Sequence, residues 1–144
     1  MINREIIRIK IVQLTYAYYQ NGNKNIDTAE KELFFSLSKA YDQYNYLLAL
    51  MVAVAKEAKR RLEINEAKAR REGLPGPSTR FAYNRFTLQL EENRQLADFM
   101  GNQKRTWTDD AEFVGKLFEQ IEQSQIYKDN RRSEERRVGK ECRS

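Results

Sequence analysis

Apolar residues recur along this chain with a helical period. From Asn3 to Gln20, Ile7, Ile11, Leu14 and Tyr18 fall three or four residues apart, and Ile6, Val12 and Ala17 widen the stripe. Strict alternation, the signature of a half-buried strand, fails at Ile6-Ile7 and Ile11-Val12, so the spacing predicts a helix despite the β-branched residues. Asn3 stands where an N-cap is needed. Glu5 follows in the first turn, where a carboxylate meets the positive end of the helix dipole. Asn21-Gly22-Asn23 ends the segment, with Gly22 suited to the left-handed position after a helix.

Asp27-Thr28-Ala29-Glu30 has the spacing of a capping box. A stripe then runs through Leu33, Leu37, Tyr41, Tyr44, Leu48, Met51, Ala55, Ala58 and Leu62. Its length invites a break, which the reading places at Asp42 to Asn45, giving helices over 28–40 and 43–72. Glu57 with Arg61 and Glu66 with Arg70 add i,i+4 support of about 0.2–0.5 kcal/mol each. Gly73-Leu74-Pro75-Gly76-Pro77-Ser78-Thr79 cannot continue a helix and forms a loop, a candidate subdivision of the chain. Beyond it, Phe81, Phe86, Leu88, Leu90, Leu96, Phe99 and Met100 predict helices over 82–90 and 92–103. Thr108-Asp109-Asp110 caps a last helix over 109–125, with Trp107 packing as a staple before it. The pattern predicts an all-α fold: an antiparallel bundle of about five to six helices, without a repeat of solenoid period.

At 144 residues the chain fits one domain. Its longest apolar run, Leu47 to Ala55, is too short to span a bilayer. The N-terminus lacks the layout of a secretory signal, so the expected location is the cytoplasm. The sequence contains no histidine and one cysteine. That excludes a Ser-His-Asp triad, a Cys-His pair, a histidine metal site and an intrachain disulfide. Acid–base work would fall to Asp, Glu, Lys or Tyr, and no nucleophile–base pairing is visible, so neither enzymatic activity nor a cofactor is expected. A net charge of +5 points instead to binding, with nucleic acid among the acidic partners.

Residues 132–144, Arg-Ser-Glu-Glu-Arg-Arg-Val-Gly-Lys-Glu-Cys-Arg-Ser, match the in-frame translation of a common short-read sequencing adapter. They are read as a foreign, disordered tail and set aside from fold reasoning. The tail holds five basic and three acidic residues, so residues 1–131 carry +3. The only cysteine, Cys142, belongs to it. The natural frame is expected to continue beyond the point where the adapter begins.

Two stretches combine basic and aromatic residues. Arg4, Arg8 and Lys10 precede Tyr16, Tyr18 and Tyr19 on the first helix. Such a face suits RNA, because arginine meets phosphates and tyrosine stacks on a splayed-out base. The plainer alternative is a solvated face beside core tyrosines. Lys56, Lys59, Arg60, Arg61, Lys68, Arg70 and Arg71 form the second stretch, but Glu57, Glu63, Glu66 and Glu72 interleave with them, which describes a solvated helix face. Tyr41, Tyr44 and Tyr46 read as packing residues. Asp109 and Asp110 read as caps, and no phosphate-binding glycine loop is present.

The stretch from Arg4 to Tyr16, ending Gln13-Leu14-Thr15-Tyr16, resembles the opening helix of the NusB family of transcription antitermination factors. That helix is Arg-rich and closes with Gln-x-x-Tyr. The likeness extends over residues 1–130, through Tyr18-Tyr19-Gln20-Asn21-Gly22-Asn23-Lys24-Asn25, Ala29 to Tyr41 and Gln103-Lys104-Arg105-Thr106-Trp107, and is to the longer bacterial form. The resemblance implies an all-helical protein that binds boxA RNA of ribosomal RNA transcripts together with the ribosomal protein NusE, within an RNA polymerase antitermination complex. It implies that Arg4, Arg8, Gln13 and Tyr16 belong to the RNA-binding helix, and Lys10 joins them on charge. Glu5 and Ile6 interrupt the denser arginine cluster of short family members. The family's second half is absent, so the chain reads as a C-terminally truncated fragment. A rival reading from the residues alone is a helical protein-interaction module without an RNA role, whose Leu33 to Leu62 stripe docks a partner helix.

Overall fold

The computed structural model describes residues 3–22 and 25–129. The fold is all-α, 78% helical, with no strand among the described residues. The helices are α1 (Arg4–Gln20), α2 (Ile26–Glu72), α3 (Arg85–Glu91), α4 (Arg94–Gly101) and α5 (Ala111–Gln123), followed by a short helix, α6, over 125–129. Residues 132–144, the adapter-like tail, lie outside the described residues.

Local chemistry accounts for where these helices start and stop. The Asn3 side chain accepts from the Glu5 N–H at 3.3 Å and caps α1. After α1, Gly22 adopts φ 62, the left-handed conformation that glycine reaches without strain. α2 starts earlier than the capping-box reading placed it. Asn25 is its cap, accepting from the N–H groups of Asp27 at 3.0 Å and Thr28 at 3.3 Å, while Asp27 lies inside the first turn. Asparagine caps also open α3 (Asn84 to the Phe86 N–H, 2.8 Å) and α4 (Asn93 to the Leu96 N–H, 3.0 Å). The helices expected at 82–90, 92–103 and 109–125 therefore start two or three residues late, because caps and turns take up their first positions. Asp110 occupies the cap position of α5 without a side-chain cap bond. Asp109 instead closes the preceding turn, accepting from the Thr106 N–H at 2.8 Å. Trp107 stacks on Phe113 in the first turn of α5, with ring centroids 5.9 Å apart.

The break expected at Asp42 to Asn45 does not occur. α2 runs for 47 residues without interruption. No glycine or proline lies there to open the ladder. Asn45 is buried, and its side-chain amide donates to the Tyr41 carbonyl one turn back at 3.1 Å, a bond the helix accommodates.

The chain divides into two compact units, Met1–Leu47 and Leu48–Ser144, and the boundary falls within α2. The 73–79 loop lies inside the second unit. That unit holds the hydrophobic core: Val54, Ala58 and Leu62 of α2 pack with Ala82, Val114 and Phe118. Phe118 is only 2% exposed, and burying such a ring contributes about 1.5–3 kcal/mol. Phe81 lies 5.7 Å and Tyr127 6.4 Å from it, centroid to centroid, so three rings draw the end of the proline loop and α6 onto α5.

Ion pairs reinforce this packing. Arg61 of α2 donates from Nε to Glu57 Oε1 (2.8 Å), from Nη2 to Glu119 Oε1 (3.0 Å) and the Gly115 carbonyl (3.2 Å), and from Nη1 to Glu122 Oε2 (3.4 Å). Its guanidinium carbon lies 5.2 Å from the centre of the Phe118 ring. Lys59 Nζ reaches both carboxylate oxygens of Glu91 at 2.9 Å and ties α2 to α3. Arg60 also grips Glu57 through two bonds, at 2.8 and 2.7 Å.

Held first by the Arg60 guanidinium and then by that of Arg61, the Glu57 carboxyl is lowered to about 2. A carboxyl depressed in the folded state stabilises the fold above its ordinary value of 4.5, and that contribution fades as pH falls toward 2. Urea unfolding of the protein and of Glu57→Gln should show the variant weaker at pH 7 and the two converging as the pH approaches 2. An equal gap at both ends of that range would remove Glu57 as the titrating group.

Candidate nucleic-acid interface

The sequence-predicted site lies wholly on α1, in the first unit. No α1 residue is fully buried. Ile7, Lys10, Leu14, Ala17 and Tyr18 are half-buried and make one side of the helix. Leu14 and Tyr18 line a hollow of about 440 Å³ shared with Ile26, Ala29 and Leu33 of α2. The side chains that follow one another at four-residue steps on the other side are Arg4, Arg8, Val12, Tyr16 and Gln20, all exposed. Such a row forms a ridge along a helix.

This ridge carries most of the predicted site. Arg4 and Arg8 sit one turn apart at its N-terminal end. Tyr16 is 67% exposed, and its hydroxyl accepts a hydrogen bond from the Gln20 amide at 3.1 Å, which fixes the phenol along the ridge. Gln13 is exposed and adjoins Tyr16 at the three-residue spacing. Lys10 is half-buried and lies about 200° around the helix from Arg8, off the ridge, although it neighbours Gln13 at the three-residue spacing.

The structure adds one residue that the sequence reading left out, and ranks the tyrosines it had grouped. Val12, assigned to the packed stripe, is 68% exposed and lies between Arg8 and Tyr16. Tyr19 is 78% exposed, more so than Tyr16, and its ring meets that of Tyr18 edge-on at 5.7 Å. Tyr19 follows Tyr16 by three residues, as the sequence grouping had them, and also borders the hollow. Val12 was misplaced because α1 is apolar on nearly every side, and no single stripe stands out as the packed one.

The electrostatics favour an anion on this face. Among the described residues, no ion pair involves Arg4, Arg8 or Lys10. Glu5 is the only acidic residue on α1. The second basic stretch differs. Lys59, Arg60, Arg61, Lys68 and Arg70 all pair with glutamates; Arg60, Lys68 and Arg70 are exposed as a solvated face would have them, but Lys59 and Arg61 are half-buried and tie α2 to α3 and α5. Tyr41 and Tyr44, read as packing residues, are exposed. Among the described residues there is no cluster of His, Cys, Asp or Glu able to hold a metal ion, and no helix is long and apolar enough to cross a membrane.

Searches against protein-family models, curated proteins and solved structures each returned no match.

The exposures on α1 lead to an order of chemical reactivity. Limited nitration with tetranitromethane, read by peptide mass spectrometry, should modify Tyr19 and Tyr16 before the half-buried Tyr18. Equal modification of the three rings would contradict the sidedness of α1.

Proposed function

We propose that this chain is an RNA-binding transcription antitermination factor of the NusB kind, present as an N-terminal portion, cytoplasmic and not an enzyme. In this reading it binds boxA RNA together with NusE, within the antitermination complex on RNA polymerase. The observation that carries the reading is the exposed α1 ridge, where two arginines without ion pairs among the described residues stand in line with an exposed tyrosine. Arg4 and Arg8 meet phosphates, while Gln13 and Tyr16 meet a base by hydrogen bonding and stacking. Lys10 contributes at most long-range charge from off the ridge. The likeness of Arg4 to Tyr16 to the NusB opening helix supports the same assignment.

The test is binding of boxA RNA across a salt series. Arg8→Ala should weaken binding and lower the slope of log affinity against log salt by about 1, the signature of one lost phosphate contact. Lys10→Ala should leave the slope within error of the parent protein. An unchanged slope with Arg8→Ala removes the ridge from the RNA site.

A second reading, a protein-interaction module, keeps only part of the Leu33 to Leu62 stripe: Ala55, Ala58 and Leu62 are buried within the chain, whereas Tyr41, Tyr44 and Met51 are exposed. Light scattering separates the two. A concentration-dependent rise in mass that ignores added RNA and salt would favour the interaction module over RNA binding.

A further inference from the structure

The second unit contains a cleft that the RNA reading does not use. It has a volume of about 460 Å³ and lies between α2, the α3–α4 pair and the turn before α5. That volume falls within the range of small-molecule sites. The cleft exists because alanines stand where larger residues would fill it: Ala49 and Ala53 one turn apart on α2, and Ala97 on α4. Leu90, Leu96 and Met100 supply an aliphatic wall, and the methionine can adapt its shape to an occupant.

The charge at the cleft has a definite sign. Its lining includes two ionisable groups, Lys56 and Glu91. Glu91 is already neutralised, since both its oxygens accept from Lys59 at 2.9 Å. Lys56 is exposed and has no ion pair among the described residues. An aliphatic hollow with one uncompensated ammonium at its edge suits an apolar body with a single negative head. We propose that this cleft binds a small amphiphile with a monoanionic headgroup, of which a medium-chain carboxylate is the simplest. Its chain lies against Leu90, Leu96 and Met100, and its headgroup pairs with Lys56.

The molecule carries its own reporter. Trp107 lines the cleft and is the chain's only tryptophan, so its fluorescence responds to occupancy. Octanoate, octylammonium and 1-octanol, which share a chain and differ in head charge, are titrated into the full chain. Octanoate should give a saturable change and bind tighter than 1-octanol, with octylammonium weakest. Lys56→Met should weaken octanoate about three- to fivefold, the effect of a rim-exposed ion pair, and leave 1-octanol unchanged. Ala97→Phe should abolish the response to all three while the thermal melt by circular dichroism still shows a folded protein. A linear, non-saturating response overturns the proposal. So does octylammonium binding as well as octanoate, or a folded Ala97→Phe protein that still responds. An Ala97→Phe chain that fails to fold leaves the head-charge series and Lys56→Met to decide the matter on the same terms.

Discussion

The Arg61 guanidinium is the point at which the second unit is locked. It reaches two carboxylates and a carbonyl of α5 while resting over the Phe118 ring. An arginine can do this because its planar fork offers five donors and its face tolerates an aromatic ring. Glu57 sits beneath it and supplies the countercharge from its own helix. The arrangement orients α5 rotationally: Glu119 and Glu122, three residues apart, must face α2, which turns Val114 and Phe118 into the core. Glu57 is held by Arg60 as well, and Arg61 by three carboxylates, so removing one carboxylate leaves the guanidinium paired.

Much of this fold was legible in the sequence. The helical period located α1 to α5, though it split α2 and missed α6; Gly22 and the proline loop marked true ends, and the Glu57–Arg61 pair formed at its expected spacing. The errors at helix starts share one physical origin. Asparagines and aspartates compete for the same backbone N–H groups, and sequence spacing does not say which one wins. Hence Asn25 rather than Asp27 caps α2, and Asp109 closes a turn rather than opening a helix. The uninterrupted α2 was missed because its length was weighed as a reason for a break, although the segment at Asp42 to Asn45 contains no residue that breaks helices.

The site was only partly readable. Arg4, Arg8 and Tyr16 fall on one ridge because their spacing is a multiple of four, which needs no structure to see. Lys10 was added for its charge, and its position on the wheel was not weighed. Val12 was lost in a helix whose apolar residues point in nearly all directions. A helix of that kind has no self-evident buried side, and only its neighbours define one.

The arginines on that ridge have a consequence for how the surface responds to its surroundings. A guanidinium does not lose its proton in any physiological range, and the chain has no histidine to change charge between about pH 5 and 8. The density of mobile ions alters the positive field along α1, since a pair of exposed charges is screened within about 10 Å at moderate salt. Raising the salt concentration shortens the reach of that face.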